Sequence, residues 1–278
     1  MRVACVQMCA GVVPADNLKA LQDLVRQAHA QGADCVSTPE GSNLLDRDIT
    51  RLRANLRPMD QDVVVQAASG WAQDLNIWLH LGSVMVQGAD GRAANRSLVF
   101  SPSGQLAAQY DKVHLFDVDL DGGESYRESA TYAPGDRLAT VDTPWGRLGL
   151  SICYDVRFAQ QYWRLAHAGA LAHFVPAAFT VPTGQAHWHV LTRARAIETG
   201  SFVIAAAQGG HHQDGRRTFG HSLIIGPWGE VLAEKPDDQP GVITADIDMT
   251  AVHAARRKVP NLQHERPTTG PGDTGLRS

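Results

Sequence analysis

The chain has 278 residues, 44% of them hydrophobic, enough to bury a large core and close to the upper size of a single one. A net charge of −4 with interspersed signs gives no basic face for nucleic acid or an anionic membrane, and no apolar run approaches the ~20 residues of a membrane span. Four cysteines without a CxxC pair fit a reducing compartment, hence a soluble, cytoplasmic protein.

The opening Met1-Arg2-Val3-Ala4-Cys5-Val6-Gln7-Met8 is broken by Gln7 and leads into a turn, which predicts a first strand over about 2–8 and not a signal peptide. Pro14-Ala15-Asp16-Asn17 then reads as a helix start, with Leu18, Leu21, Leu24, Val25 and Ala28 at helical spacing until Gly32. A short strand, Asp34–Thr38, ends at Pro39-Glu40. After a polar, Arg-rich loop come a helix from roughly Gln61 to Asp74 and a strand Ile77–Val84. The order so far is βαβαβ, the pattern of a sheet covered by helices.

Ser97–Ala107 predicts a hairpin punctuated by Pro102 and Gly104, and a close copy, Ser222–Ala233, follows 125 positions later with Pro227 and Gly229 at the same offsets. Between them lie an apolar run, Leu148–Ile152, a helix over about 156–168, a strand Ala172–Pro176, a helix over about 183–199 and a strand Phe202–Gln208. The chain therefore reads as two pseudo-equivalent halves. Each is a βα unit finished by a hairpin, and two sheets packed face to face with helices outside would bury both. Residues 1–266 are expected to form one domain. The Gly-, Pro- and Thr-rich stretch 267–278 is expected to be a mobile or partner-draping tail.

Three reactive residues share one placement: Glu40, Lys112 and Cys153 each follow the end of a strand. Strand ends of one direction face one crevice, so a carboxylate, an ammonium and a thiol could meet there. Cys153 also precedes a predicted helix, whose N-terminal dipole and free N–H groups would favour thiolate over thiol. Singly, each has an ordinary explanation: Glu40 and Lys112 as solvated loop charges, Cys153 as a small buried hydrophobe.

Together they carry a resemblance. Thr38-Pro39-Glu40, Tyr110-Asp111-Lys112-Val113-His114-Leu115-Phe116-Asp117 and Ser151-Ile152-Cys153-Tyr154-Asp155-Val156-Arg157-Phe158 resemble, in order and approximate spacing, the three signature blocks of the nitrilase superfamily of carbon–nitrogen hydrolases. The resemblance implies a four-layer αββα sandwich that assembles into homodimers, and a Glu40–Lys112–Cys153 site with no metal and no cofactor. Tyr126-Arg127-Glu128-Ser129 resembles the segment of the family's second active-site glutamate, which would set Glu128 beside Lys112; Glu124 fits less well. On this basis Glu40 is the general base, Cys153 the nucleophile, and Lys112 with the Tyr154 backbone N–H the oxyanion hole for hydrolysis of a small amide through a thioester.

Phe174–Trp188 and Leu191–Thr199 resemble the branch of small-acid amidases. Ala205–His212 and Phe219-Gly220-His221-Ser222 resemble deaminated-glutathione amidases, with ω-amidases as near relatives. Substrates of both kinds carry carboxylates, for which Arg157 is the expected partner; Phe179 and His187 are expected to wall the site, and Arg193 and Arg195 to brace a helix or the dimer interface. Two departures from the family pattern are Ala159-Gln160, where Pro-Glu is common, and Gly41-Ser42-Asn43, which is expected to widen the pocket floor. Two other classes fit the residues less well. A metal-dependent hydrolase built on His187 and His189 or on His211 and His212 lacks an HExxH-like cluster, and a non-catalytic scaffold would leave the charged and nucleophilic residues without purpose.

Overall fold

The computed structural model describes residues 1–120 and 125–266. Glu124 and the expected tail at 267–278 lie outside the described residues. The first half comprises β1 (Arg2–Gln7), α1 (Pro14–Ala30), β2 (Cys35–Ser37), α2 (Ile49–Asn55), α3 (Val63–Asp74), β3 (Trp78–Gln87), β4 (Ala93–Phe100) and β5 (Leu106–Asp111). An antiparallel pair follows, β6 (Asp117–Asp119) with β7 (Ser125–Arg127). The second half comprises β8 (Thr140–Thr143), β9 (Gly146–Leu150), α4 (Ala159–His167), β10 (Ala170–Phe174), α5 (Val181–Thr183), α6 (His189–Thr199), β11 (Phe202–Ala205), the ribbon β12 (Gly209–His211) and β13 (Arg217–Phe219), β14 (Leu223–Ile225) and β15 (Val231–Glu234). The strand β16 (Gly241–Asp246) returns to the first half, and α7 (Thr250–Lys258) follows.

Two six-stranded sheets result, β16-β1-β2-β3-β4-β5 and β8-β9-β10-β11-β14-β15. In each, the second to fourth strands are parallel and the flanking ones antiparallel. The two hairpins match in detail. Gly104 N–H donates to the Ser101 carbonyl and Gly229 N–H to that of Gly226, both at 2.9 Å, and both glycines have positive φ, 75° and 85°. A one-residue slip in register accompanies each turn, between Val99 and Phe100 in β4 and between Ile224 and Ile225 in β14. This is a tight turn with a glycine-dependent bulge, used twice.

The strand period of two sorts the side chains. Val3, Cys5, Cys35 and Val99 join Leu148, Phe174, Ile204 and Ile224 in a core between the sheets. Ala4, Val6, Val36 and Leu98 face the other way, packing with Leu21 and Val25 of α1 and Val64 and Trp71 of α3. Tyr162, Leu165, Trp188 and Ala196 bury the inner faces of α4 and α6 on the second sheet. The architecture is the αββα sandwich.

Several boundaries move relative to the sequence expectation. The polar segment after Glu40 contains α2, capped by Asp48, whose carboxylate accepts the Thr50 and Arg51 N–H groups at 2.9 and 3.0 Å. That cap was readable in the residues; the helix was missed because it buries only Leu52. Cys153 does not sit at the N-terminus of an α-helix. It opens a single 3-10 turn, Cys153–Arg157, and α4 starts only at Ala159.

Candidate active site

Glu40 is held by the backbone on both sides. The Ser83 N–H donates to the Pro39 carbonyl at 3.2 Å, and the buried Gln208 amide donates to the carbonyl of Glu40 itself at 2.9 Å. This close approach depends on Gly82: a Cβ there would lie 1.9 Å from the Thr38 carbonyl oxygen and 2.7 Å from that of Pro39. Gly41, with φ 68° and Leu45 and Met85 against it, fills its space, and Ser42 and Asn43 bond inward to Pro39, Asp62 and Met85. Leu45, Asp46 and Met85 line the cavity beside this segment.

Lys112 leaves β5 with its N–H on the Asn95 carbonyl at 3.0 Å, and the paired Arg96 and Asp111 (2.6 and 2.9 Å) fix the strand end. Its ammonium donates to Glu40 Oε1 at 2.8 Å and to the two oxygens of Glu128 at 3.0 and 2.9 Å. Phe116 N–H donates to Glu128 Oε2 at 2.6 Å, clamping that carboxylate to the loop after Lys112. Cys153, with φ 50°, is one of three non-glycine residues at positive φ among the described residues. Its N–H donates to the Pro176 carbonyl at 2.8 Å, and its buried side chain lines the same cavity as Glu40 and Lys112. The turn is pinned by Asp155, which is fully buried and accepts from Ile152 N–H, His114 N–H and the Tyr110 hydroxyl at 2.9, 3.0 and 2.7 Å.

The structure thus brings together all four residues expected to meet. Glu40, Lys112 and Cys153 are 5, 2 and 7% exposed, at the base of a cavity of about 610 Å³. A residue that sequence reading missed joins them. Asn95, 1% exposed in β4, donates through one nitrogen to Glu40 Oε1 at 2.9 Å and Glu128 Oε1 at 3.3 Å, while its own Oδ1 has no partner. An amide inside the apolar run of β4 was the available signal.

Charge decides the protonation states. Burial pushes the Glu40 carboxyl up, but the Lys112 ammonium and hydrogen bonds from Lys112, Cys153 and Asn95 outweigh it and hold the carboxyl below its ordinary value. Burial also opposes the Lys112 charge, and the carboxylates of Glu128 and Glu40 outweigh it, so the ammonium persists well above its ordinary range. For Cys153, burial and the Glu40 charge act in the same direction against Lys112 and the Ala178 N–H, and the thiol is pushed well up. The expectation of a resting thiolate is therefore reversed. The pocket sets a thiol pushed toward its neutral form beside a carboxylate held toward its charged form. The Tyr154 N–H, one residue on, has no acceptor among the described residues and is free to receive an oxyanion.

Arg157 and Phe179 line the cavity. The Arg157 guanidinium lies over the rings of Tyr154 and Phe179, at 5.7 and 5.5 Å, and has no carboxylate partner among the described residues. His187 departs from expectation: it is exposed and does not line the cavity, although its Nδ1 lies 3.3 Å from Arg157. Arg195 donates to the Val156 carbonyl and pairs with Glu198, and Arg193 donates to the Gly229 carbonyl, so both brace the fold. The histidine pairs weighed as metal ligands do not converge: His189 bonds Glu234, and His212 is buried on the Ala10 carbonyl and Thr218.

The carbon-nitrogen hydrolase family profile matches residues 2–257. The chain belongs to that family. It is a hydrolase of carbon–nitrogen bonds other than peptide bonds. It is 38% identical to the deaminated glutathione amidase of Yersinia enterocolitica over 95% of this chain and 92% of that one, and 35% identical to the human omega-amidase NIT2 over 95% of each. Among solved structures it superposes on the C. elegans NITFHIT protein with a TM-score of 0.87 at 33% identity, covering 95% of this chain and 65% of that one. It also superposes on an amidase variant from Nesterenkonia sp. AN1, with a TM-score of 0.78 at 26% identity, covering 94% and 98%. That structure carries acrylamide added to its active-site cysteine.

Proposed function

We propose that the chain is a cysteine-dependent amidase acting on a small amide that bears carboxylates at both ends, of which deaminated glutathione is the best fit. The observation that carries this reading is the cavity itself, with Glu40, Lys112 and Cys153 at its base and guanidinium groups around its walls and mouth. Arg47, Arg157 and Arg217 line it without a carboxylate partner among the described residues, whereas Arg127 and Arg216 are paired with Asp119 and Asp214. Cationic side chains left unneutralised around an active site favour an anionic substrate. In deaminated glutathione the scissile amide lies between a 2-oxo acid carboxylate and the glycine carboxylate, so Arg157 near the nucleophile and Arg47 or Arg217 farther out can each take one.

In this reading the Cys153 sulfur attacks the amide carbonyl while its proton passes to Glu40. Asn95 and Lys112 both donate to Glu40 Oε1, which leaves Oε2 for that proton. The oxyanion is held by Lys112 and the Tyr154 N–H. Glu40 returns the proton to the departing nitrogen, and the amine leaves as the thioester forms. Water then enters, Glu40 takes its proton, and the acid is released with the thiol restored. Glu128 holds Lys112 in place throughout.

Val190, Ile197 and Trp228 are 67, 53 and 58% exposed on α6 and the β14–β15 turn, which supports a homodimer formed on that face. A nucleophilic thiol and four free cysteines suit a reducing, cytoplasmic setting. A comparison of kcat/KM for deaminated glutathione, 2-oxoglutaramate, an N-carbamoyl acid and a simple nitrile tests the substrate. Deaminated glutathione is expected to lead. An equal or higher value for 2-oxoglutaramate would move the substrate to the shorter acid, the ω-amidase reading, and a preference for the nitrile would overturn both.

A further inference from the structure

Beside the catalytic cavity, and separate from it, His189 at the start of α6, His221 before β14 and Glu234 at the end of β15 converge on one point. His189 Nε2 lies 2.9 Å and His221 Nδ1 3.1 Å from the same oxygen, Glu234 Oε1, and the three donor atoms all lie within 4.8 Å of one another. We propose that this cluster is a binding site for a transition-series divalent cation of the zinc class.

Three features carry it. The donor set, two imidazoles and a carboxylate, suits a borderline cation and leaves a fourth position for water. Donors around a tetrahedral zinc stand about 3.3 Å apart, as bonds of about 2.0–2.1 Å require, so the side chains need adjust by only about 1 Å or less on the close edges. Two imidazoles meeting on one carboxylate oxygen also surround a common centre, which separate ion pairs on two oxygens would not do.

The second feature is that His221 is aimed at the cluster by its backbone. It has φ 54°, a conformation a non-glycine residue adopts at a cost. The Trp188 indole N–H holds its carbonyl at 2.7 Å, its own N–H donates to the Asp237 carbonyl, and Phe219 stacks on its ring at 4.2 Å. The third is access. All three side chains are partly exposed, 22% for His221 and 34% for the others, so an ion can enter without unfolding. The apolar residues Val190 and Ile197 sit about a quarter turn around α6 from His189, leaving the cluster beside the proposed dimer face.

An ion held here would tie α6 and β15 to the segment Arg217–His221. Arg217 and Thr218 of that segment line the catalytic cavity, and Phe219 packs on His189 and His221. Occupancy would thus stiffen one wall of the substrate site from outside.

The test is calorimetric titration of Zn²⁺ alone into untagged, chelator-stripped protein carrying Cys153→Ala, which removes the catalytic thiol as a competing ligand. One equivalent is expected at low-micromolar affinity, with a melting temperature raised by several degrees. Glu234→Gln and His189→Ala in that background should each weaken binding at least tenfold, and His29→Ala should not. Glu234→Gln preserves shape, so it reads the site even if a histidine variant folds poorly. Absence of uptake at these concentrations, or binding that survives both substitutions, would overturn the proposal.

Discussion

Replacing Asn95 with alanine probes the part of the site that was hardest to foresee. The Asn95 amide is a buried donor to Glu40 Oε1 at 2.9 Å and a longer one to Glu128 at 3.3 Å. A hydrogen bond to a charged group contributes about 1.5–3 kcal/mol, and one pKa unit corresponds to about 1.36 kcal/mol. Removing it should therefore raise the Glu40 carboxyl and lower kcat/KM by roughly 10–100-fold, since a less well-held base is also less well oriented. The sign follows from Glu40: a carboxyl held below its ordinary value is a working base down to low pH, and raising it moves the acid limb of the profile to higher pH. The assay is kcat/KM against pH for both proteins, with thermal denaturation to establish folding. The unpartnered Oδ1 leaves with the side chain and offsets part of the stability lost with the hydrogen bonds to Glu40 and Glu128. A profile unchanged in height and acid limb would refute the positioning role.

Lys112→Met should lower kcat by about 10²–10³ through loss of an oxyanion donor, and lower the melting temperature because the buried Glu40 and the partly buried Glu128 lose their counter-charge, a cost of about 3–5 kcal/mol. A kinetic and melting comparison checks both, and near-normal turnover would contradict the assignment. Arg157→Ala should raise KM for a carboxylate-bearing amide by roughly 10–100-fold while leaving that for a neutral amide of equal length nearly unchanged; equal effects on both would place Arg157 outside substrate recognition. Because the Cys153 thiol is pushed well up, its alkylation by iodoacetamide in the resting enzyme should be slower at pH 7 than that of a free thiol, and should climb about tenfold per pH unit through pH 9. A plateau below pH 8 would mean a resting thiolate.

What could be read from the residues and what could not divide along physical lines. The pseudo-symmetric halves were legible because a turn with Gly104 or Gly229 at positive φ is a local requirement, written into four or five residues and repeated. Glu40, Lys112 and Cys153 were legible as types and positions. Their protonation was not, because the thiol responds to burial and to a carboxylate 113 positions away in the chain, and these outweigh the turn dipole that local reasoning invoked. Asn95 and Gly82 act only through partners brought in by the fold, a pair of carboxylates for one and the Thr38 carbonyl for the other. His187 was misplaced because it lies in a π-helical turn, Gly184–Trp188, where its side chain is exposed and outside the cavity lining, a local winding that the residues gave no sign of.

The most direct measurement is intact-protein and peptide mass spectrometry of enzyme quenched in acid during turnover of deaminated glutathione. An acyl adduct is expected on the peptide that contains Cys153 and absent from Cys153→Ala, which should fold normally and hydrolyse nothing. Substantial turnover by Cys153→Ala, or an adduct on another residue, would contradict it.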